Sequence, residues 1–256
     1  MVALEPVPGV AAATAPVPDG EGLLIADYHA GVEAALRYER GLDVPSRASD
    51  RRERLLGLVR RLEPDRLIVL GDLMHSIGEP GGAERGELEV LFEQLPESLA
   101  VTLVKGNHDG AIEDWIGDIE IVPGAGTRLG GLGITHGHTW PARAVLEAGV
   151  VCLGHEHPFV RIEDEVGGRR LEPVWLRGQA SVEPFVDRSA YEGVAWLEGD
   201  GEPPEIVVFP PFNELVGGTW VNVPEQTFLA PYLPGAVPDA EAYLLDGTRL
   251  GPYRSV

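Results

Sequence analysis

Five apolar runs of this chain each lead into a histidine: LLIADYH (23–29), LIVLGDLMH (67–75), TLVKGNHD (102–109), GITHGH (133–138) and VVCLGHEH (150–157). Together they hold all seven histidines of the 256 residues. If such runs are buried as strands, their carboxyl ends meet at one rim, which is where open α/β sheets collect ligands. Imidazole and carboxylate together suit divalent first-row metals. Asp27, Asp72, Asn107 and Asp109 share the histidine windows as oxygen donors or charge partners. The pattern points to a metal site at strand ends.

The segments between the runs have helical spacing. Leu55, Leu58, Val59 and Leu62 form an apolar stripe over Ser46–Leu62, which Pro64 terminates. Leu88, Leu91, Phe92 and Leu95 do the same over Ala83–Leu95, and a short helix is expected over Pro141–Ala148. Strands are expected at Leu23–Ala26, Arg66–Leu70, Ala100–Val104, Gly131–Thr135 and Val150–Leu153. Strands alternating with helices define an α/β class. Beyond residue 158, FVRIEDEV and RRLEPVWLRG flank a Gly-Gly turn as in a β-hairpin, and VVF, TWVNV and AYLLDG are short and strand-like. A second sheet is therefore expected over 158–256, within a single domain spanning 1–256. The first 20 residues, broken by four prolines, read as an irregular segment, and the loop Ser76–Gly86, rich in glycine and glutamate, as mobile.

Charge narrows the setting. Forty-one acidic residues against 20 basic ones give a net charge of −21, and all the basic residues but Lys105 are arginine. Such an excess repels nucleic acid and weakens a compact fold, but both effects shrink where the Debye length falls to roughly 3 Å, near 1 M salt. A high-salt cytoplasm is the expectation, with an ordinary acidic enzyme of a GC-rich genome as the alternative. Arg51, Arg52, Arg54, Arg60 and Arg61 share one helix but are interleaved with acids, which reads as a solvated face. A single cysteine excludes an internal disulfide, and Cys152, inside an apolar run, reads as core. No apolar stretch is long enough for a membrane span, and the N-terminus lacks the basic start of a secretory signal. Trp115 and Trp140 flank motifs and could stack on a base.

The motifs Asp27-Tyr28-His29, Gly71-Asp72-Leu73-Met74-His75, Gly106-Asn107-His108-Asp109, His136 and Gly154-His155-Glu156-His157 occur in that order. They resemble the D-x-H, G-D-x-x-D, G-N-H-D/E, H and G-H-x-H series of the calcineurin-like metallophosphoesterase superfamily. His75 departs from it, standing where the family usually has aspartate. G-D-x-x-H followed by serine, with FPPFNELVGGTW and YLLDGTRLG downstream, is similar to the archaeal and ligase-associated bacterial phosphoesterases related to the double-strand-break repair nuclease.

The resemblance implies a four-layer αββα sandwich with two mixed β-sheets and a site at strand C-terminal ends holding two divalent metals. Mn is favoured, with Fe, Zn or Ni as alternatives. It assigns Asp27, His29 and His157 to one ion and Asn107, His136 and His155 to the other, bridged by Asp72. His138 stays open as an alternative to His136 or as a contact to substrate phosphate. A hydroxide activated by the two metals would attack phosphorus in line, with His108 as general acid and Asp109 orienting its ring. Ligand imidazoles must be neutral, so activity is expected to fall below about pH 6. The substrate would be a phosphodiester, nucleic acid or nucleotide included. A phosphomonoesterase of the same chemistry and a non-catalytic scaffold of the same fold are the alternatives.

Overall fold

The computed structural model describes residues 3–164 and 166–256. Its first sheet orders β1 (Glu5–Pro6), β2 (Ala12–Val17), β3 (Gly20–Ile25), β4 (Arg66–Val69), β5 (Ala100–Val104) and β6 (Glu120–Val122) side by side. The first three run antiparallel and the rest parallel, with Leu23 opposite Leu67 and Leu67 opposite Val101. Leu23, Leu24 and Ile25 are wholly buried, the continuous apolar run of a parallel strand covered on both faces.

The second sheet contains β7 (Thr127–Leu129), β8 (Leu132–Thr135), β9 (Val150–Leu153), β10 (Pro158–Glu163), β11 (Arg169–Gln179), β12 (Glu205–Val208) and β13 (Thr219–Trp220). They lie in the order β13-β10-β11-β12-β9-β8-β7, and β14 (Glu241–Leu244) and β15 (Arg249–Pro252) extend from β11. It too is mixed: β8, β9 and β12 are parallel and the β10–β11 hairpin antiparallel.

Three buried clusters mark the layers. Leu24, Ile68 and Val104 of the first sheet pack against Ile134, Cys152, Trp175 and Val207 of the second. The first sheet's other face buries Ile25, Val69 and Leu103 under Leu55, Leu58 and Val59 of α2 (Ala48–Leu62) and Leu88 and Leu91 of α3 (Gly82–Gln94). The second sheet's other face buries Val151, Leu176 and Ile206 under Val145 and Leu146 of a one-turn helix (Arg143–Leu146) and under Phe185, Tyr191 and Trp196 from turns. The αββα sandwich is thus present, with a thin fourth layer.

Two expectations are corrected and one helix is added. The N-terminal segment is not irregular: Ala12–Val17 pairs with β3 along its whole length. Pro16 does not break the strand, because it lies beyond the short overlap with β1, where one side of β2 is a sheet edge that needs no donor. A helix that apolar spacing does not announce, α1 (Val32–Arg40), follows His29 directly. Arg51 is not on a solvated face; it is 2% exposed and forms a buried ion cluster. Its Nε and Nη2 donate to Glu87 at 2.8 and 2.7 Å, and its Nη1 and Nη2 to Glu33 at 3.2 and 3.3 Å. This cluster ties α1, α2 and α3 together behind the Asp27–His29 turn, since Gly31 N also donates to Glu87. No helix among the described residues is long and apolar enough to cross a membrane.

Candidate metal centre

The strands deliver their terminal motifs to one place. Beyond β3 lie Asp27 and His29, beyond β4 Asp72, beyond β5 Asn107, beyond β8 His136, and beyond β9 His155 and His157. The chain turns sharply there: Asp27, His29, Asp72, His155 and His157 all have φ between 43° and 68°. Non-glycine residues rarely adopt this left-handed region, and such conformations cost of order 1–3 kcal/mol each. Five of them at one site imply that the fold overrides local preference to aim these side chains. Glycine is required beside them, since a Cβ on Gly71 would collide with the His136 ring and one on Gly106 with Asp72.

Three groups of possible ligands result: His29, His75 and His108 at the mouth, and two triplets that each contain a carboxylate. One joins Asp27, His29 and His157, the other Asp72, His136 and His155, and within each the ligating atoms lie within 4.8 Å of one another. Asp72 spans both, with Oδ2 at 3.7 Å from His29 Nε2 and Oδ1 at 3.4 Å from His136 Nε2. Asn107 Oδ1 stands 3.2 Å from His136 Nε2. His157 Nε2 lies 3.2 Å from Asp27 Oδ1 and 3.3 Å from His29 Nε2.

The donor set fits divalent cations. His136 Nδ1 lies 2.7 Å from the Leu70 carbonyl and His157 Nδ1 2.7 Å from that of Gly217. Those partners assign the Nδ1–H tautomer to both rings and turn Nε2 inward as a lone-pair donor, the usual outer support of a metal-ligating histidine. Several nitrogen and carboxylate donors converging at these distances, with no thiolate, suit Mn, Fe, Zn or Ni.

Electrostatics agrees. Burial would raise the pKa of Asp27, but His157 and His136 beside it hold it below the usual range. Burial likewise opposes ionisation of Asp72, and His136 and His29 outweigh it, so its pKa is lowered. Burial, then His157, holds His29 at about 3, and burial with His136 holds His155 at about 4, so both are neutral at pH 7. Burial opposes protonation of His136, yet Asp72 and Asp27 push it up to about 9. His157 is also raised against its burial, chiefly by Asp27. In the metal-free chain two buried carboxylates are therefore balanced by protons on imidazole, charge that cations can replace.

Of the two histidines of THGH, His136 points into the centre and His138 stands beside it, ring centroids 5.3 Å apart, belonging to neither triplet. His75 Nδ1 lies 3.2 Å from His29 Nδ1, so the residue that departs from the family pattern stands against the cluster. His108 lies at the mouth, its Nε2 4.0 Å from Asp72 Oδ2 and its Nδ1 against the His75 carbonyl. Asp109, the expected orienter of that ring, has its two oxygens on backbone N–H groups. Its carboxylate is wholly buried and accepts Met74 N at 3.0 Å and Gly106 N at 2.8 Å, which fastens the turns carrying Asp72 and Asn107. Burial, reinforced by the Asp72 charge, raises its pKa to about 6.

The downstream segment supplies parts that motif spacing could not reveal. Asn213 Nδ2 donates to the Tyr28 and His29 carbonyls at 3.0 and 3.1 Å. Glu156, between two ligands, is buried and accepts Thr219 Oγ1 at 2.6 Å and Leu229 N and Ala230 N at 3.0–3.1 Å. Only its resemblance marks FPPFNELVGG in the sequence; its asparagine and glycines have a physical use in holding the ligand turns. A separate cavity of about 270 Å³ beside Arg54 and Phe212 shares no residue with the histidine cluster, so the chemistry of the lining, not depth, identifies the site.

With this geometry the chain can be placed. Residues 23–208 match the calcineurin-like phosphoesterase family, and the chain belongs to it. Members of that family use divalent metals, and this chain has the donor groups to hold them. Among solved structures it is similar to the Pseudomonas putida nuclease MPE, with 19% identity and a TM-score of 0.55, covering 97% of this chain and 100% of that one. It is also similar to YfcE, a phosphoesterase from E. coli, with 16% identity and a TM-score of 0.41, covering 90% and 96%. At its identity the likeness to the nuclease speaks for the fold alone. No curated protein matches the chain significantly by sequence.

Proposed function

We propose that this chain is a binuclear metal-dependent phosphodiesterase, with Mn²⁺ as its first-choice cation, acting in a high-salt cytoplasm. The observation that carries the reading is Asp72, whose two oxygens face two separate ligand triplets. A bridging carboxylate offsets the repulsion between two close cations. Asp27, His29 and His157 would hold one ion, and Asn107, His136 and His155 the other. Bound there, the cations would neutralise phosphate charge and lower the pKa of a water toward neutrality. His108 stands at the mouth with Nε2 toward Asp72 and its other nitrogen on the His75 carbonyl. It donates a proton to the leaving ester oxygen. No side-chain nucleophile is required.

The test is to strip the protein of metal and restore it separately with Mn, Zn, Ni or Mg. Each form is then assayed on bis-p-nitrophenyl phosphate, p-nitrophenyl phosphate and single-stranded DNA. Mn-dependent hydrolysis of the diester ahead of the monoester is expected. Inactivity with every cation on every substrate overturns the reading.

A further inference from the structure

The ligand group at the mouth, His29, His75 and His108, differs from the two triplets in holding no carboxylate. It exists because a histidine occupies position 75, the one motif position that departs from the family pattern. One nitrogen of each ring lies within 4.8 Å of a nitrogen of each of the other two. A cleft of about 220 Å³, lined also by Glu39, reaches all three rings.

The placement of the rings suits a cation of their own. His29 turns Nε2 toward Asp72 and His157, at 3.7 and 3.3 Å, which leaves its Nδ1 to His75, whose Nδ1 is 3.2 Å away. Two nitrogens at that separation can both reach one ion at the zinc–imidazole bond length of about 2.0–2.1 Å, subtending about 100–105°, near the tetrahedral angle. Burial, then the charge of His108, lowers the pKa of His75, and His29 is held at about 3, so neither ring brings positive charge at pH 7. With one cation on its Nε2, the His29 ring keeps a single proton on Nδ1, and a cation at the mouth displaces that proton to solvent. Negative charge for the added ion stands close by, in Glu39 of the cleft wall and in Glu84, which accepts His75 N at 3.1 Å.

Donor type decides which ion enters. Carboxylate and carbonyl oxygens suit manganese, whereas imidazole suits zinc and its late first-row neighbours. The two triplets offer oxygen as well as nitrogen, and the mouth group offers nitrogen alone.

We infer that His29, His75 and His108 form a third cation site, inhibitory and selective for zinc over manganese, whose occupant takes His108 away from the leaving ester oxygen. This rests on the binuclear reading, which uses the other nitrogen of His29. Metal-free wild type, His75→Phe and His75→Asn are dialysed against excess zinc or excess manganese, and bound metal is counted by elemental analysis. Wild type is expected to hold three zinc ions but two manganese ions, and each variant two of either. His75→Phe keeps the ring volume and His75→Asn a polar group, so the comparison does not depend on one variant folding. The zinc lost on substitution tests the third site, and the metal left in the variants tests the binuclear reading, so each can fail without the other. In wild-type crystals soaked with zinc, anomalous diffraction at the zinc edge should show a peak between His29 Nδ1 and His75 Nδ1. Hydrolysis of bis-p-nitrophenyl phosphate by the zinc-loaded wild type should fall roughly 10²-fold or more between two and three equivalents, the least that a blocked acid costs. Equal zinc counts in wild type and variants, or no peak between those nitrogens, overturn the site. An undiminished rate with the third ion bound overturns its inhibitory role.

Discussion

At the scale of single residues, His108 carries the sharpest expectation. His108→Gln should keep both cations, because His108 belongs to neither of the triplets that include Asp72 and Asp27. It should lose roughly 10²- to 10⁴-fold in turnover, the usual worth of a positioned acid. Metal content by elemental analysis and single-turnover rates check this, and unchanged rates would remove His108 from the role. A second expectation follows from the proton on His136, which is held up to about 9. A ligand imidazole must be neutral, so each cation seated there displaces that proton. Affinity should rise with pH through the neutral range and level off above about 9. Titration calorimetry in buffers of differing ionisation enthalpy should show proton release at pH 7.5, and pH-independent affinity between 6 and 9 would contradict it. The convergence of the proposed ligands is legible in the sequence because each follows an apolar run that reads as a strand. The role of Asp109 is not, since its partners are backbone N–H groups of Met74 and Gly106. Which turn a carboxylate fastens depends on how strands from different parts of the chain are juxtaposed.

At the scale of elements, β3 to β5, β8, β9, α2 and α3 begin and end within three residues of where periodicity places them. Their burial is one- or two-sided in the regular way that a pattern of apolar residues records. Two elements escape that pattern. β2 carries a proline that a sheet edge tolerates, and α1 buries only Val32 and Glu33 of its first turn, too short a pattern to announce a packed helix. Arg51 is hidden for a related reason. An arginine among acids reads as solvated, and only tertiary contact makes it the buried hub between Glu33 and Glu87. Arg51→Met should destabilise by about 3–5 kcal/mol, because two buried carboxylates lose their counter-charge. Urea unfolding of the metal-free protein measures this. A loss below about 1 kcal/mol, the scale of a surface pair, would show that the cluster is solvated.

At the scale of the whole molecule, an acidic chain must still hold two sheets face to face over a cluster of like-charged carboxylates. With a net charge of −21, self-repulsion is largest in dilute buffer and screened when the Debye length falls to roughly 3 Å near 1 M salt. The melting temperature should climb steadily from dilute buffer to molar KCl, and a flat profile would count against salt adaptation. Both sheets aim their parallel strands at one rim, so the order of motifs along the sequence becomes a ring of proposed ligands in space, with Asp72 at its centre. Anomalous diffraction at the manganese edge from Mn-loaded crystals tests that arrangement most directly. Two peaks are expected roughly 3.5–4 Å apart, one on each side of the Asp72 carboxylate, the first beside Asp27, His29 and His157 and the second beside Asn107, His136 and His155. A single peak, or peaks away from Asp72, would contradict it.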